Sequence, residues 1–280
     1  MTFKKYCFED NNEVIEITGG NTIDTSEFAH NENLIHVRIA ESIKKIGIGA
    51  FRNCVNLRET GLTKGVRIID EDAYANCKSI TEIVIPNGVE IIKNRAFYGC
   101  TCVVNISIPY SVREIGSGAF YGTIPNTLFV DANNPCFRVT NNCLIEKKSN
   151  ALLATGPKEP VIVPYGVEEI RSYAFGTIKS VFLPETIEYM SAYALWWKNI
   201  KSLYLGYHDP NKAYYTCIKR YLDEFNVLGE DLEDILAKTI KLYVPFGTYE
   251  LYRKNRFWGL FKSISEHSGL SGTNKTLSFF

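Results

Sequence analysis

An aromatic side chain recurs every 23 residues at Phe28, Phe51, Tyr74, Phe97 and Phe120. Ala50, Ala73, Ala96 and Ala119 precede the last four, and Cys54, Cys77 and Cys100 follow at the same interval. Leu34, Leu57, Ile80 and Val103 keep the period, as do Val37, Thr60, Ile83 and Ile106, and Ile39, Leu62, Ile85 and Ile108. A fixed period of this length is the mark of stacked supersecondary units, because one unit cannot bury its apolar face alone.

The copy Ser79–Cys100 shows what one unit does. Ile83 and Ile85 alternate with Glu82 and Val84, the period of a half-buried strand. Pro86, Asn87 and Gly88 make a turn, and Val89, Ile91 and Ile92 a second short extended piece. Arg95–Cys100 is too short for a stable α-helix and suits a helical turn. The pattern then loosens. Val163-Pro164…Ala174-Phe175, Leu183-Pro184…Ala194-Leu195, Leu203–Leu205 and Leu242–Pro245 carry it on, giving about nine rungs. Cys143–Ile145 and Ala151–Leu153 flank a hairpin turn over Glu146–Asn150. Asp209-Pro210 starts a helix, with Tyr214, Cys217, Ile218, Tyr221, Leu222 and Phe225 on one face. A second short helix is expected over Asp231–Lys238.

Composition narrows the function. The chain has 280 residues with 31 basic and 31 acidic side chains, so it lacks the basic excess of a nucleic-acid binder. No apolar run reaches the length of a membrane span. Lys4 and Lys5 are not followed by an apolar stretch, so the sequence reads as having no secretion signal, which by itself points to the cytoplasm.

The pattern L-x-x-I-x-I-P-x-x-V-x-x-I-x-x-x-A-F-x-x-C, matched nearly throughout by Ile80–Cys100, resembles the BspA-type leucine-rich repeat of bacterial surface proteins. Val130-Asp131…Asn134-Pro135…Cys143–Ile145 resembles that family's hairpin interlude. Leu242–Thr248, Tyr252, Trp258 and Phe261–Ile264 resemble its C-terminal cap. The resemblance implies an α/β solenoid, a right-handed leucine-rich repeat superhelix with a parallel β-sheet on its concave face. It also implies a non-enzymatic protein that binds proteins or host surfaces, secreted or held at the cell surface. The expected layout is an N-terminal cap over 1–22, a solenoid over 23–266 and a tail over 267–280. Within the solenoid lie a hairpin interlude at 128–160, a helical insert at 206–239 and a C-terminal cap at 244–266.

Chemistry is sparse. Eight cysteines invite disulfides or zinc, but Cys54, Cys77 and Cys100 share one repeat column, there is no C-x-x-C, and the four histidines are scattered. A ladder of packed free thiols is expected, which would suit a reducing compartment. Gly116-Ser117-Gly118 is not a nucleophile elbow, Gly47-Ile48-Gly49 is not a dinucleotide fingerprint, and no catalytic residue, metal site or cofactor is predicted. Glu230, Asp231, Glu233 and Asp234 read as a helix first turn.

The informative surface is the strand face turned away from the core. Its residues run Arg38, Gly61, Val84 and Ser107, then Ile162, Phe182, Tyr204 and Tyr243. Phe182, Tyr204 and Tyr243 form a candidate partner-binding stripe for a protein or glycan, since exposed aromatics mark interaction sites. The competing expectation is that the insert at 206–239 covers the stripe as core. An intracellular scaffold and an enzyme with its site in the insert are the rival functions.

Overall fold

The computed structural model describes residues 5–9, 13–123, 125–195, 197–225 and 239–268. The chain divides into two compact units, 1–148 with 153–157, and 149–152 with 158–280. Both consist of parallel-strand β-solenoid turns, about 11 in all, with few helices.

In the first unit the 23-residue period becomes a hydrogen-bonded register. Lys45 pairs with Ile68, Ile68 with Ile91, and Ile91 with Glu114, all parallel. A second row runs from Glu82–Val84 through Asn105–Ile108 to Thr127–Val130. Equivalent positions of successive repeats therefore stack on one another. The rings of Phe28, Phe51, Tyr74, Phe97 and Phe120 lie 5.4, 5.1, 5.3 and 5.8 Å apart in one near-parallel column. Beside them the thiols of Cys54, Cys77 and Cys100 donate to the carbonyls of Phe28, Phe51 and Tyr74 at 3.1, 3.0 and 3.2 Å. Each thiol satisfies a backbone acceptor one rung away, which is why this small polarisable residue suits the column.

One rung of this unit departs, and the cause is one atom. Tyr74 replaces Phe in the aromatic column, and its buried hydroxyl needs an acceptor. It donates to the Thr60 carbonyl at 2.8 Å. Gly61 takes φ +63, a conformation open to glycine, and Thr60–Leu62 is the one stretch of the row without a strand between Val37 and Ile83.

The segment expected to form only an N-terminal cap also carries a turn. Lys5–Glu9 pairs antiparallel with Val14–Thr18, and the latter pairs in parallel with His36–Ile39. Ser263–His267 likewise adds a parallel strand to Lys241–Pro245 inside the segment expected as C-terminal cap. These two terminal strands raise the count from about nine to about 11. Val14–Thr18 leads to Phe28 without the Ala and Cys of the later copies, and Ser263–His267 is followed by none of the three, so the repeat pattern marks the first only in part and the second not at all. Phe137–Thr140 and Cys143–Glu146 form an antiparallel hairpin on Asn141 and Asn142, both at positive φ.

The second unit keeps parallel pairing and loses the period. Its sheet runs Val161–Ile162, Ser180–Leu183, Ser202–Leu205, Lys241–Pro245 and Ser263–His267. The chain between the third and fourth strands is the insert. Asp209 accepts from the Asn211 N–H at 2.8 Å and caps a helix that starts at Pro210. A π turn over Tyr215–Lys219 leads into a further helical stretch, Arg220–Phe225. The helix expected over Asp231–Lys238 lies outside the described residues. Trp197, Trp258, Tyr207 and Tyr252 fill this unit's core, each at most 2% exposed.

Candidate functional site

The strand register of the second unit sets Phe182 opposite Tyr204 and Tyr204 opposite Tyr243, in parallel neighbours. Val181, Leu183, Leu203, Leu205, Leu242 and Val244, of the other parity, are buried. The three aromatics therefore leave the sheet on the face turned away from that core. Tyr204 and Tyr243 stack with ring centroids 4.3 Å apart and planes 9° from parallel. Both are half-buried, whereas Phe182 is only 4% exposed. Burial pushes the Tyr204 phenol up, and the neighbouring Tyr243 adds to the shift.

His267 closes one end of the stripe. Its ring meets Phe182 and Tyr204 edge-on at 5.9 and 6.2 Å, and its Nε2 lies 2.8 Å from the Leu205 carbonyl oxygen. That contact makes Nε2 the protonated nitrogen, because a carbonyl only accepts. Burial holds the imidazole below its ordinary titration range, with the Leu205 contact opposing. Sequence reasoning assigned position 267 to a tail. The alternation Ser263, Ser265, His267 on the outward parity was the available signal.

The described part of the insert docks elsewhere. Tyr214 packs on Phe257 with centroids 5.0 Å apart, and the buried Cys217 lies beside Tyr207. Trp258 Nε1 donates to the Pro210 carbonyl at 2.8 Å, and Tyr252 Oη to the Tyr207 carbonyl at 2.7 Å. None of these partners belongs to the stripe. A shallow cleft of about 430 Å³ opens beside the insert, lined by His208, Asp209, Asn211, Leu251 and Lys254 among others. Its carboxylate Asp209 is committed to helix capping.

In the first unit the corresponding face is polar and internally paired. His36 Nδ1 lies 2.9 Å from Glu59 Oε1, and Asn105 Nδ2 donates to Glu82 Oε1 at 2.9 Å. Val84 and Phe129 stand out from it, 58% and 55% exposed.

The seven described cysteines outside position 7 are all free, and no group of three metal-ligating side chains occurs among the described residues. Burial raises the Cys54 thiol to about 11, and those of Cys100, Cys143 and Cys217 to about 12. Such thiols are inert at neutral pH, so their free state carries no information about a reducing compartment.

The profile of the BspA type leucine rich repeat region matches in six copies over residues 21–150 and 147–227. The chain belongs to the BspA-type leucine-rich repeat family. No curated protein matches it. Among solved structures, a leucine-rich repeat protein from Eubacterium ventriosum is 17% identical with a TM-score of 0.53, over 72% of this BspA-type chain and 70% of the other. That likeness shows the shared fold. A leucine-rich repeat protein from T. pallidum is 24% identical with a TM-score of 0.37, over 46% and 83% of the respective chains. A leucine rich cell surface protein from Faecalibacterium prausnitzii is 17% identical with a TM-score of 0.43, over 76% and 92%. Among the described residues no helix is long and apolar enough to cross a membrane.

Proposed function

We propose that this BspA-type repeat protein is a non-catalytic binding protein, displayed at a cell surface or secreted, and that Tyr204 and Tyr243 are the contact residues of its partner-binding stripe, with Phe182 buried behind them. The observation that carries the reading is the stacked, half-buried pair Tyr204–Tyr243 on the strand face of the parity opposite to the buried aliphatic residues. Rigid aromatics with large contact area lose little rotamer entropy on binding and make efficient anchors. The fold favours the same use, since a stack of parallel strands sets side chains in a ladder about 4.8 Å apart. Family membership supports surface display.

A protein and glycan array probed with the wild type and with Tyr204→Ser/Tyr243→Ser tests this. Wild-type signals that vanish in the double variant, at an unchanged melting temperature, are expected. Signals that survive the double change would remove the stripe from the function, and a melting temperature lowered by many degrees would make it core.

A further inference from the structure

Among the described residues of the first unit, two exposed large apolar side chains stand on strands. The others, Ile48, Val104 and Tyr110, lie in turns or connections. Val84 and Phe129 are 58% and 55% exposed, and both lie on the outward parity, since their strand neighbours Ile83 and Leu128 are buried. The parallel register sets the same residue beside each of them: Val84 pairs with Ser107, and Ser107 with Phe129. Val84 and Phe129 therefore flank a serine, about 10 Å apart at two strand spacings. Two van der Waals contacts of about 4 Å span about 8 Å, so the slot over Ser107 is one saturated ring wide.

One rim of this slot is polar. Glu82, Asn105 and Thr127 are register partners on the same three strands, two residues earlier and on the same parity, about 7 Å along. Asn105 Nδ2 donates to Glu82 Oε1 at 2.9 Å. A carboxylate only accepts, so this bond fixes the amide with its NH2 group toward Glu82. Glu82 Oε2, Asn105 Oδ1 and the hydroxyls of Ser107 and Thr127 have no other partner among the described residues. The six positions thus provide two apolar walls, a hydroxyl floor and a rim rich in acceptors. An apolar peptide side chain in the slot would dehydrate the Ser107 hydroxyl and the rim without supplying donors. A pyranose matches both surfaces, with a C–H face for the walls and hydroxyl donors for the rim. Glu82 carries the one charge among the six positions, so an acidic sugar meets a charge of its own sign.

We propose that Val84, Ser107 and Phe129, with Glu82, Asn105 and Thr127 along their edge, bind one neutral pyranose unit of a glycan. The C–H face of the sugar lies against Phe129 and its other face meets Val84. Its hydroxyls donate to Glu82 Oε2 and Asn105 Oδ1. The site uses no residue of the Tyr204–Tyr243 stripe and stands or falls without it.

The test titrates the full chain with methyl glucoside, methyl galactoside and N-acetylglucosamine. Glucuronic acid serves as the acidic counterpart and N-acetylphenylalanine amide as the peptide counterpart. Saturation transfer from protein to ligand protons reads binding. At least one neutral sugar should bind, with the strongest transfer to its ring C–H protons. Phe129→Ala should weaken that binding about tenfold or more, at an unchanged melting temperature. Ser107→Val, which fills the floor of the slot, should abolish it, and Phe129→Trp should keep it. Tyr204→Ser/Tyr243→Ser should bind the sugar as the wild type does. Sugar binding that survives Phe129→Ala, or that is lost in the double tyrosine variant, would put the sugar elsewhere and overturn the proposal. Binding of the phenylalanine amide in place of the sugars would make the slot a peptide site, and a preference for glucuronic acid would contradict the charge of the rim. Either result overturns it, as does binding of none of the probes.

Discussion

The two units solve one problem differently. In the first, the turns from Thr22 to Glu114 are all 23 residues long, so each side chain there stacks on its equivalent and the core is a set of columns: aromatic, thiol, aliphatic. In the second, Phe182 lies 22 positions before Tyr204, and Tyr204 lies 39 before Tyr243, yet all three share a register. Unequal turns cannot stack equivalents, so the space is filled by individual large residues such as Trp197 and Trp258. Regularity thus gives a core of interchangeable units, and irregularity gives a core of unique ones. The outward faces follow. The first unit pairs polar residues along its outward face, whereas the second carries the half-buried stacked pair Tyr204–Tyr243 there.

The sharpest way to break this comparison is excision. Removing Asn76–Tyr98 takes out one period and joins Ala75 to Gly99, whose φ of +71 matches the +60 of Asn76 that it replaces. The shortened protein should still melt cooperatively. Removing Ser180–Lys201 from the second unit takes Trp197 from the core and should leave that unit unfolded by circular dichroism and prone to aggregate. If both excisions fold, or neither does, the distinction between the two cores fails.

The next effect separates members of the stripe. Phe182→Ala should cost about 3–5 kcal/mol, as for a buried aromatic. Tyr204→Ser and Tyr243→Ser should each cost no more than about 1.5 kcal/mol, the worth of a half-buried stacked pair. Chemical denaturation reads both, and a large loss at Tyr243 would mean that the stripe is covered throughout.

A smaller effect belongs to the interrupted rung. Tyr74→Phe strips the Thr60 carbonyl of its buried donor and should cost about 1–2 kcal/mol despite restoring the repeat's preferred residue. A gain in stability would show that the interruption has another cause.

The smallest effect concerns the thiol ladder. Each of Cys54→Ala, Cys77→Ala and Cys100→Ala should cost about 1 kcal/mol at neutral pH. In alkali the sign turns. Burial raises the folded Cys54 thiol from its ordinary 9.0 to about 11, so the unfolded chain ionises first. Its contribution is complete below pH 9.0 and is lost as pH rises through about 11. The melting temperature of Cys54→Ala should therefore fall less steeply over that window than the wild type's. Parallel curves would show that the thiol does not titrate with unfolding.

The sequence by itself determined the repeat: its period, its inward columns, its family and the parity that turns Phe182, Tyr204 and Tyr243 out of the core. These follow from local alternation and from equal spacing, which neighbouring residues reveal. Three things needed the tertiary structure. The strands Val14–Thr18 and Ser263–His267 pair onto the two ends of the repeat array, and the repeat pattern marks only the first, through Phe28. The lodging of Phe182 under His267 depends on a residue 85 positions away. The placement of the described insert on Phe257, Tyr207 and Trp258, away from the stripe, was decided by which apolar surfaces meet after the turns have stacked. Periodicity encodes contacts between equivalent residues, and these three contacts join residues that are not equivalent.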